Sequence, residues 1–150
     1  MSLADEIAPG LTGLEQLQAI MKSGKRAGIA MSLDFDIAKV GDGIAIFQGI
    51  PAEHAYNPIG AVHGGYAATL LDSACGCAVH SKLSATQTYT TLELKVAYHR
   101  GITRDTGMVR AEGKVITFGR RAAFAEAKLI GEDGKLYASA TSTLLVMDRI

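Results

Sequence analysis

No stretch of this 150-residue chain runs the 18 or so uncharged apolar residues that crossing a bilayer takes, and no charged leader with a following apolar segment opens it. Neither a membrane span nor secretion is indicated, so the cytoplasm is the expected location. Charge of one sign is not in excess either. Fifteen Lys and Arg offset fifteen Asp and Glu, and the basic residues are scattered, so nothing supports a nucleic-acid partner. Phosphate groups on a small ligand stay compatible with such a surface. Cysteine is scarce: Cys75 and Cys77 are the only two, and on a helix they point about 200° apart, which rules out a bridge between them. With no second cluster, and no metal-ligand spacing to His54, His63, His80 or His99, they read as buried structural thiols, and no metal site is expected. Repeats, low-complexity runs and linkers are missing as well. The chain therefore reads as one domain, 1–150, with residues 1–28 as an N-terminal helical extension, and its 48% apolar content suffices for a real core.

What the chain does have is concentrated between His63 and His80, HGGYAATLLDSACGCAVH, where Asp72 is the only formal charge. No strand-like alternation runs from Tyr66 to Val79, and the residues there favour or tolerate helix without leaving a polar face, which predicts a core helix. A carboxylate on such a helix must be hydrogen-bonded, paired or used for chemistry, because burying it alone costs several kcal/mol. Gly64 and Gly65 fall where the helix would begin, so unpaired amides and the positive end of the dipole meet there, a ready place for developing negative charge. Asp72 follows Gly64 by eight residues, about 12 Å along the axis. One carbonyl cannot touch both. An antiparallel pairing of two such helices across a two-fold axis would bring Gly64 of one chain to Asp72 of the other, which points to a shared site.

Leu14, Leu17, Ile20 and Met21 predict a short amphipathic helix over Gly13 to Ser23, ended by Gly24. Ile29 to Ile37 and Gly43 to Gly49 read as strands around a turn at Val40 to Asp42, and Pro51 breaks the second. A loop over Ala52 to Val62 leads into the core helix. Four strands follow, Thr88 to Tyr98, Gly107 to Thr117, Arg121 to Ile130 and Leu136 to Val146, separated by turn signals such as Asp133-Gly134. One long buried helix, a hairpin before it and an antiparallel meander after it make an α+β arrangement, a curved sheet wrapped around one central helix.

The string Asn57-Pro58-Ile59-Gly60-Ala61-Val62-His63-Gly64-Gly65, then Asp72, with Gly119-Arg120-Arg121 between late strands, resembles the hotdog-fold acyl-CoA thioesterases of the phenylacetyl-CoA (PaaI-type) branch. The resemblance runs from about Ser32 to the C-terminus. It implies that Gly64 supplies the backbone N–H for the thioester carbonyl, and that Asn57 assists that carbonyl or orients water. It further implies that His63 shapes the loop near the sulfur, and that Asp72 of the opposite protomer acts as general base or nucleophile. Relatives carry a water-positioning hydroxyl on the first strand after the helix, and alignment on Tyr98 puts Thr91 there, one residue from Thr90. Gly65, Arg120 and Arg121 fall where relatives hold the CoA portion. Plainer readings stand beside these: a loop-bonding histidine at His63, a turn former at Asn57, a solvated turn at Arg120 and Arg121, and a structural carboxylate at Asp72.

The implied protein is a homodimer or dimer of dimers that takes acyl-CoA as substrate, with no cofactor beyond the CoA the substrate carries. Two other functions remain open: a non-catalytic acyl-CoA-binding or sensing module on the same fold, and an enoyl-CoA hydratase. The hydratase pattern wants Asp and His where this chain has Ala55 and Gly60. The acyl group, aromatic or medium to long aliphatic, depends on which of Tyr66, Leu70, Phe47 and Tyr89 face the cleft.

Overall fold

A computed structural model describes residues 1–150. In chain order the elements are α1 (Leu3–Ile7), α2 (Gly13–Ser23), α3 (Gly28–Leu33), β1 (Phe35–Gly41), β2 (Ile44–Gly49), α4 (Gly64–His80), β3 (Gln87–Tyr98), β4 (Val109–Phe118), β5 (Ala122–Gly131) and β6 (Leu136–Asp148). A 3-10 turn, Glu53–Ala55, interrupts the loop before α4. The strands form one sheet in the order β1-β2-β4-β5-β6-β3, and every pair is antiparallel. The sheet packs around α4, which is the hotdog architecture.

Small residues on both sides explain how closely the two layers meet. The face of the sheet turned to α4 carries Ala45, Ala111, Ala125 and Ala127, all buried, and α4 answers with Ala67, Ala74 and Ala78. At the tightest point β4 crosses the helix at Gly113. A Cβ there would lie 2.5 Å from the Ala74 carbonyl carbon and 2.9 Å from the Ala74 Cβ, so only glycine lets strand and helix approach to this depth.

The start of the sheet departs from expectation. Ile29 to Leu33 is not strand: Gly28–Leu33 is helix α3, and it stops at Asp34, whose φ of 55° puts it in the left-handed region. Ile29, Met31, Leu33, Phe35 and Ile37 do alternate with small or polar residues as a strand would, but tertiary contacts override the pattern: Ala30 is buried, and Asp34 turns left-handed with its carboxylate held by Arg26 at 2.9 Å, so the extended chain starts only at Phe35. Within the helical extension expected over 1–28 an additional helix, α1, is capped by Ser2, and helical structure continues past it to Leu33 in α3. Helix α2 keeps the limits its pattern predicts, because Thr12 and Glu15 form a capping box and Gly24 closes it in the left-handed region.

Strand β3 carries the other feature that matters for the site. Its pairing with β6 shifts register between Thr91 and Glu93, leaving Leu92 as the extra, exposed residue. Side chains on a regular strand alternate, which would set residues 91 and 98 on opposite faces. The bulge resets the alternation, so both Thr91 and Tyr98 reach α4. The Ser142 hydroxyl donates to the Glu93 carbonyl at 2.9 Å beside it.

Candidate active site

The first turn of α4 is arranged by His63. Its backbone is extended, with φ −62° and ψ 134°, and its ring folds back so that Nδ1 accepts the Gly65 N–H at 2.8 Å. Nδ1 is therefore bare and Nε2 carries the ring proton. A Cβ on Gly65 would meet Nδ1 at 2.9 Å, so the glycine makes room for the capping ring. The Tyr66 N–H goes to the His63 carbonyl at 3.0 Å. Gly64 is left with the one first-turn amide among these three that bonds to nothing in the chain. The sequence pattern suggested two free amides, at Gly64 and Gly65; the rotamer of His63 uses the second.

Tyr98, which sequence reasoning used only as an alignment anchor, holds this turn from the other side. Its hydroxyl donates to the Gly64 carbonyl at 2.6 Å, and a Cβ on Gly64 would meet that hydroxyl at 3.0 Å. The glycine is needed for this close approach. Alternation counted back along an unbroken strand could not have paired Tyr98 with Thr91 on one face, so no local signal marked it.

Asn57 organises the loop before α4. Its Oδ1 accepts the N–H groups of Ile59 and Ala61, both at 3.1 Å, and its backbone bonds Ala61 and Gly60, the latter at φ 85°. That fixes the amide orientation and leaves only the NH2 group to donate outward. Asn57, His63, Gly64 and Tyr98 border one hollow of about 420 Å³.

Asp72 lies two turns along α4, half-buried, where Thr91 Oγ1 donates to its Oδ1 at 3.1 Å; Thr90 is exposed. Asp72 and Thr91 border a different cavity, of about 350 Å³, lined largely by apolar side chains of the N-terminal helices and β1–β2. Phe47 and Tyr89 line it, while Tyr66 and Leu70 do not and are buried in the core. Within one chain the candidate residues therefore form two half-sites, about 12 Å apart on one uninterrupted helix. Arg120 and Arg121 join neither. They are exposed in the β4–β5 turn, at the end of the sheet where Val115 bonds Gly43 and Gly43 bonds Ser81 Oγ, beyond the C-terminus of α4.

Electrostatics narrow the chemistry. Burial, and then the Asp72 carboxylate, push the Cys77 thiol up to about 12, and burial does the same for Cys75, so neither is a nucleophile at neutral pH. Burial also raises the Tyr89 phenol. His54, His80 and His99 each bond a structural partner, Leu33 O, Gln16 Oε1 and Ser139 Oγ. No three His, Cys, Asp or Glu side chains converge as metal ligands would. The reactive inventory is thus an unpaired amide at the positive end of a 17-residue helix and an oriented carboxylate.

Residues 59–138 match the family described as Thioesterase superfamily. Among solved structures, a conserved protein from Pseudomonas aeruginosa is 30% identical with a TM-score of 0.77, covering 84% of this chain and 98% of its own. A thioesterase from Haemophilus influenzae shares the fold at 20% identity and TM-score 0.78, over 88% of this chain and 90% of that one. A thioesterase family protein from Silicibacter pomeroyi does so at 24% identity and TM-score 0.78, over 88% and 98%. No curated protein matches the chain in sequence.

Proposed function

The chain belongs to the thioesterase superfamily and is a thioester hydrolase, and from that premise we propose that its substrate is an acyl-CoA, hydrolysed to free acid and CoA at a site two protomers share. The observation that carries this reading is the pair of half-sites on α4: a free Gly64 amide at one point and a Thr91-held Asp72 about 12 Å further on. The Gly64 N–H stabilises the oxyanion as the carbonyl is attacked, a contribution of about 2.7–4 kcal/mol in such sites. The Asn57 NH2 is the second donor on that side. Asp72 of the opposite protomer either takes a proton from the water that attacks the carbonyl, or attacks the carbonyl itself to form an anhydride that water then hydrolyses, and in both routes the C–S bond breaks and the CoA thiolate leaves; labelled solvent oxygen appearing in the Asp72 carboxylate after one turnover marks the second route. Arg120 and Arg121, which join neither half-site of their own chain, are the cations offered to the CoA phosphates, while Gly65, its N–H taken by His63, contributes by making room for that ring. A homodimer is the smallest competent unit, with a dimer of dimers as the larger assembly, in the phenylacetyl-CoA-type branch of the superfamily.

Subunit mixing tests this directly. Asp72→Asn and Asn57→Ala proteins are each expected to lose thiol release from acyl-CoA. Unfolded and refolded together, they form mixed dimers with one intact site, restoring about a quarter of wild-type activity. No restoration, with mixed dimers demonstrably formed, defeats the shared site; full activity in Asp72→Asn defeats the role of Asp72. Tight acyl-CoA binding without turnover in the wild type would favour the sensing module instead.

A further inference from the structure

The cavity at Asp72 does not stop at the carboxylate. Its floor is a single face of α4, because Asp72, Gly76 and His80 recur at every fourth position and all line it. It therefore extends about 12 Å along the helix from the carboxylate. The opposite wall is not sheet alone: Leu17 and Ile20 of α2 and Ala30 of α3 close over it. The far end is blocked. The Gly13 amide bonds the Leu83 carbonyl at 3.0 Å, and His80 Nε2 meets Gln16 Oε1 at 3.0 Å. The charges at the rim are already paired, Lys25 with Glu6 and Arg26 with Asp34 and Asp36, so nothing there waits for a charged tail.

Resting on the acyl-CoA reading above, we infer that this cavity is a blind acyl chamber, roofed by α2 and α3, which selects unbranched acyl chains of about eight to ten carbons. Length and volume agree. An extended chain of single bonds advances about 1.2 Å per bond, as the polypeptide backbone does, so 12 Å holds about ten. A volume of about 350 Å³ accommodates about a dozen groups of roughly 30 Å³ each. A phenylacetyl group leaves the His80 end empty, and a palmitoyl chain overruns it. Ile20, one turn along α2 from the Gln16 that closes the far end, sits on the roof and sets the bore of the chamber.

The test is a chain-length series from butyryl-CoA to palmitoyl-CoA, with phenylacetyl-CoA, on wild type, Ile20→Trp and Ile20→Ala, paired with calorimetric titration of decanoate. In the wild type, kcat/KM is expected to rise about threefold to fourfold per methylene to about decanoyl and then fall. Ile20→Trp lowers the decanoyl-to-butyryl ratio by about tenfold or more, and Ile20→Ala, which leaves a gap beside the chain, flattens the rise per methylene. A flat series, an optimum at palmitoyl or phenylacetyl, or folded Ile20 variants with unchanged ratios overturns the chamber while leaving thioesterase activity intact. Absence of hydrolysis, with decanoate bound by the wild type and weakened in Ile20→Trp, refutes the catalytic reading and upholds the chamber. Absence of both hydrolysis and decanoate binding overturns the two together.

Discussion

Replacing Gly113 with alanine adds one methyl group, yet it is expected to damage both stability and catalysis. The new Cβ would stand 2.5 Å from the Ala74 carbonyl carbon and 2.9 Å from the Ala74 Cβ, where unstrained carbon contacts begin at about 3.5 Å. Strand β4 and helix α4 must therefore part by about 1 Å. Backbone atoms meet the methyl, so no rotamer change relieves it. Overpacking of this kind costs about 1–3 kcal/mol, which in a domain of this size lowers Tm by about 2–12 °C. Asp72 is two residues from Ala74 on the same helix, so its carboxylate moves with the contact, and a misplacement of about 1 Å at a reacting group costs about a hundredfold in rate. Thermal unfolding and acyl-CoA hydrolysis are measured on the same preparation, with Gly28→Ala as control because a Cβ there meets nothing within 4 Å. The control is expected at or slightly above wild-type stability. If Gly113→Ala melts with it, the close helix–sheet approach is not what the geometry says it is.

Removing the Thr91 hydroxyl by Thr91→Val is expected to lower kcat about tenfold to a hundredfold, the range for losing a hydrogen bond to a charged group, while Thr91→Ser retains activity; equal kcat in Val and wild type disproves the orienting role. Tyr98→Phe deletes the bond to the Gly64 carbonyl, costing about 0.5–1.5 kcal/mol of stability and a severalfold loss in kcat; unchanged values in both measurements refute it. For His80, burial first and Arg149 second depress the imidazole to about 4. The unfolded chain thus takes up that proton first, near 6.5, so the stability His80 provides is complete above that pH and is lost as pH falls through 4. The loss amounts to at most about 3 kcal/mol. Comparing melting at pH 7.5 and 5 in wild type and His80→Gln isolates it; parallel declines in the two proteins would show that other groups carry the acid sensitivity.

The long helix and the four late strands were legible because each announces itself locally: α4 by an apolar surface on every side, the strands by turn residues such as Asp133-Gly134 between alternating runs. Asp72 stood out as a lone charge within 18 residues. The rest depended on contacts between distant segments. Helix α3 reads as strand because Ile29, Met31, Leu33, Phe35 and Ile37 alternate with small or polar residues, and the left-handed Asp34 that ends it has no sequence signature. The bulge at Leu92 inverts the facing of half of β3, and nothing in the neighbouring residues says so. The fate of the Gly65 amide turned on a side-chain rotamer at His63, and the cavity at Asp72 is closed by α2, which sequence reasoning treated as an extension apart from the site, and by α3, which it read as strand.

The alanine-lined seat of α4 divides the protein into a stiff part and a pliable one. Alanine has no rotamers through which to redistribute strain, so a substitution along that seat displaces the helix as a body and disturbs both half-sites. The leucine and isoleucine of α2 can repack around a new neighbour. On the chamber proposed above, changes within the first 33 residues alter which acyl group fits, whereas changes along the alanine seat move the helix that carries Gly64 and Asp72.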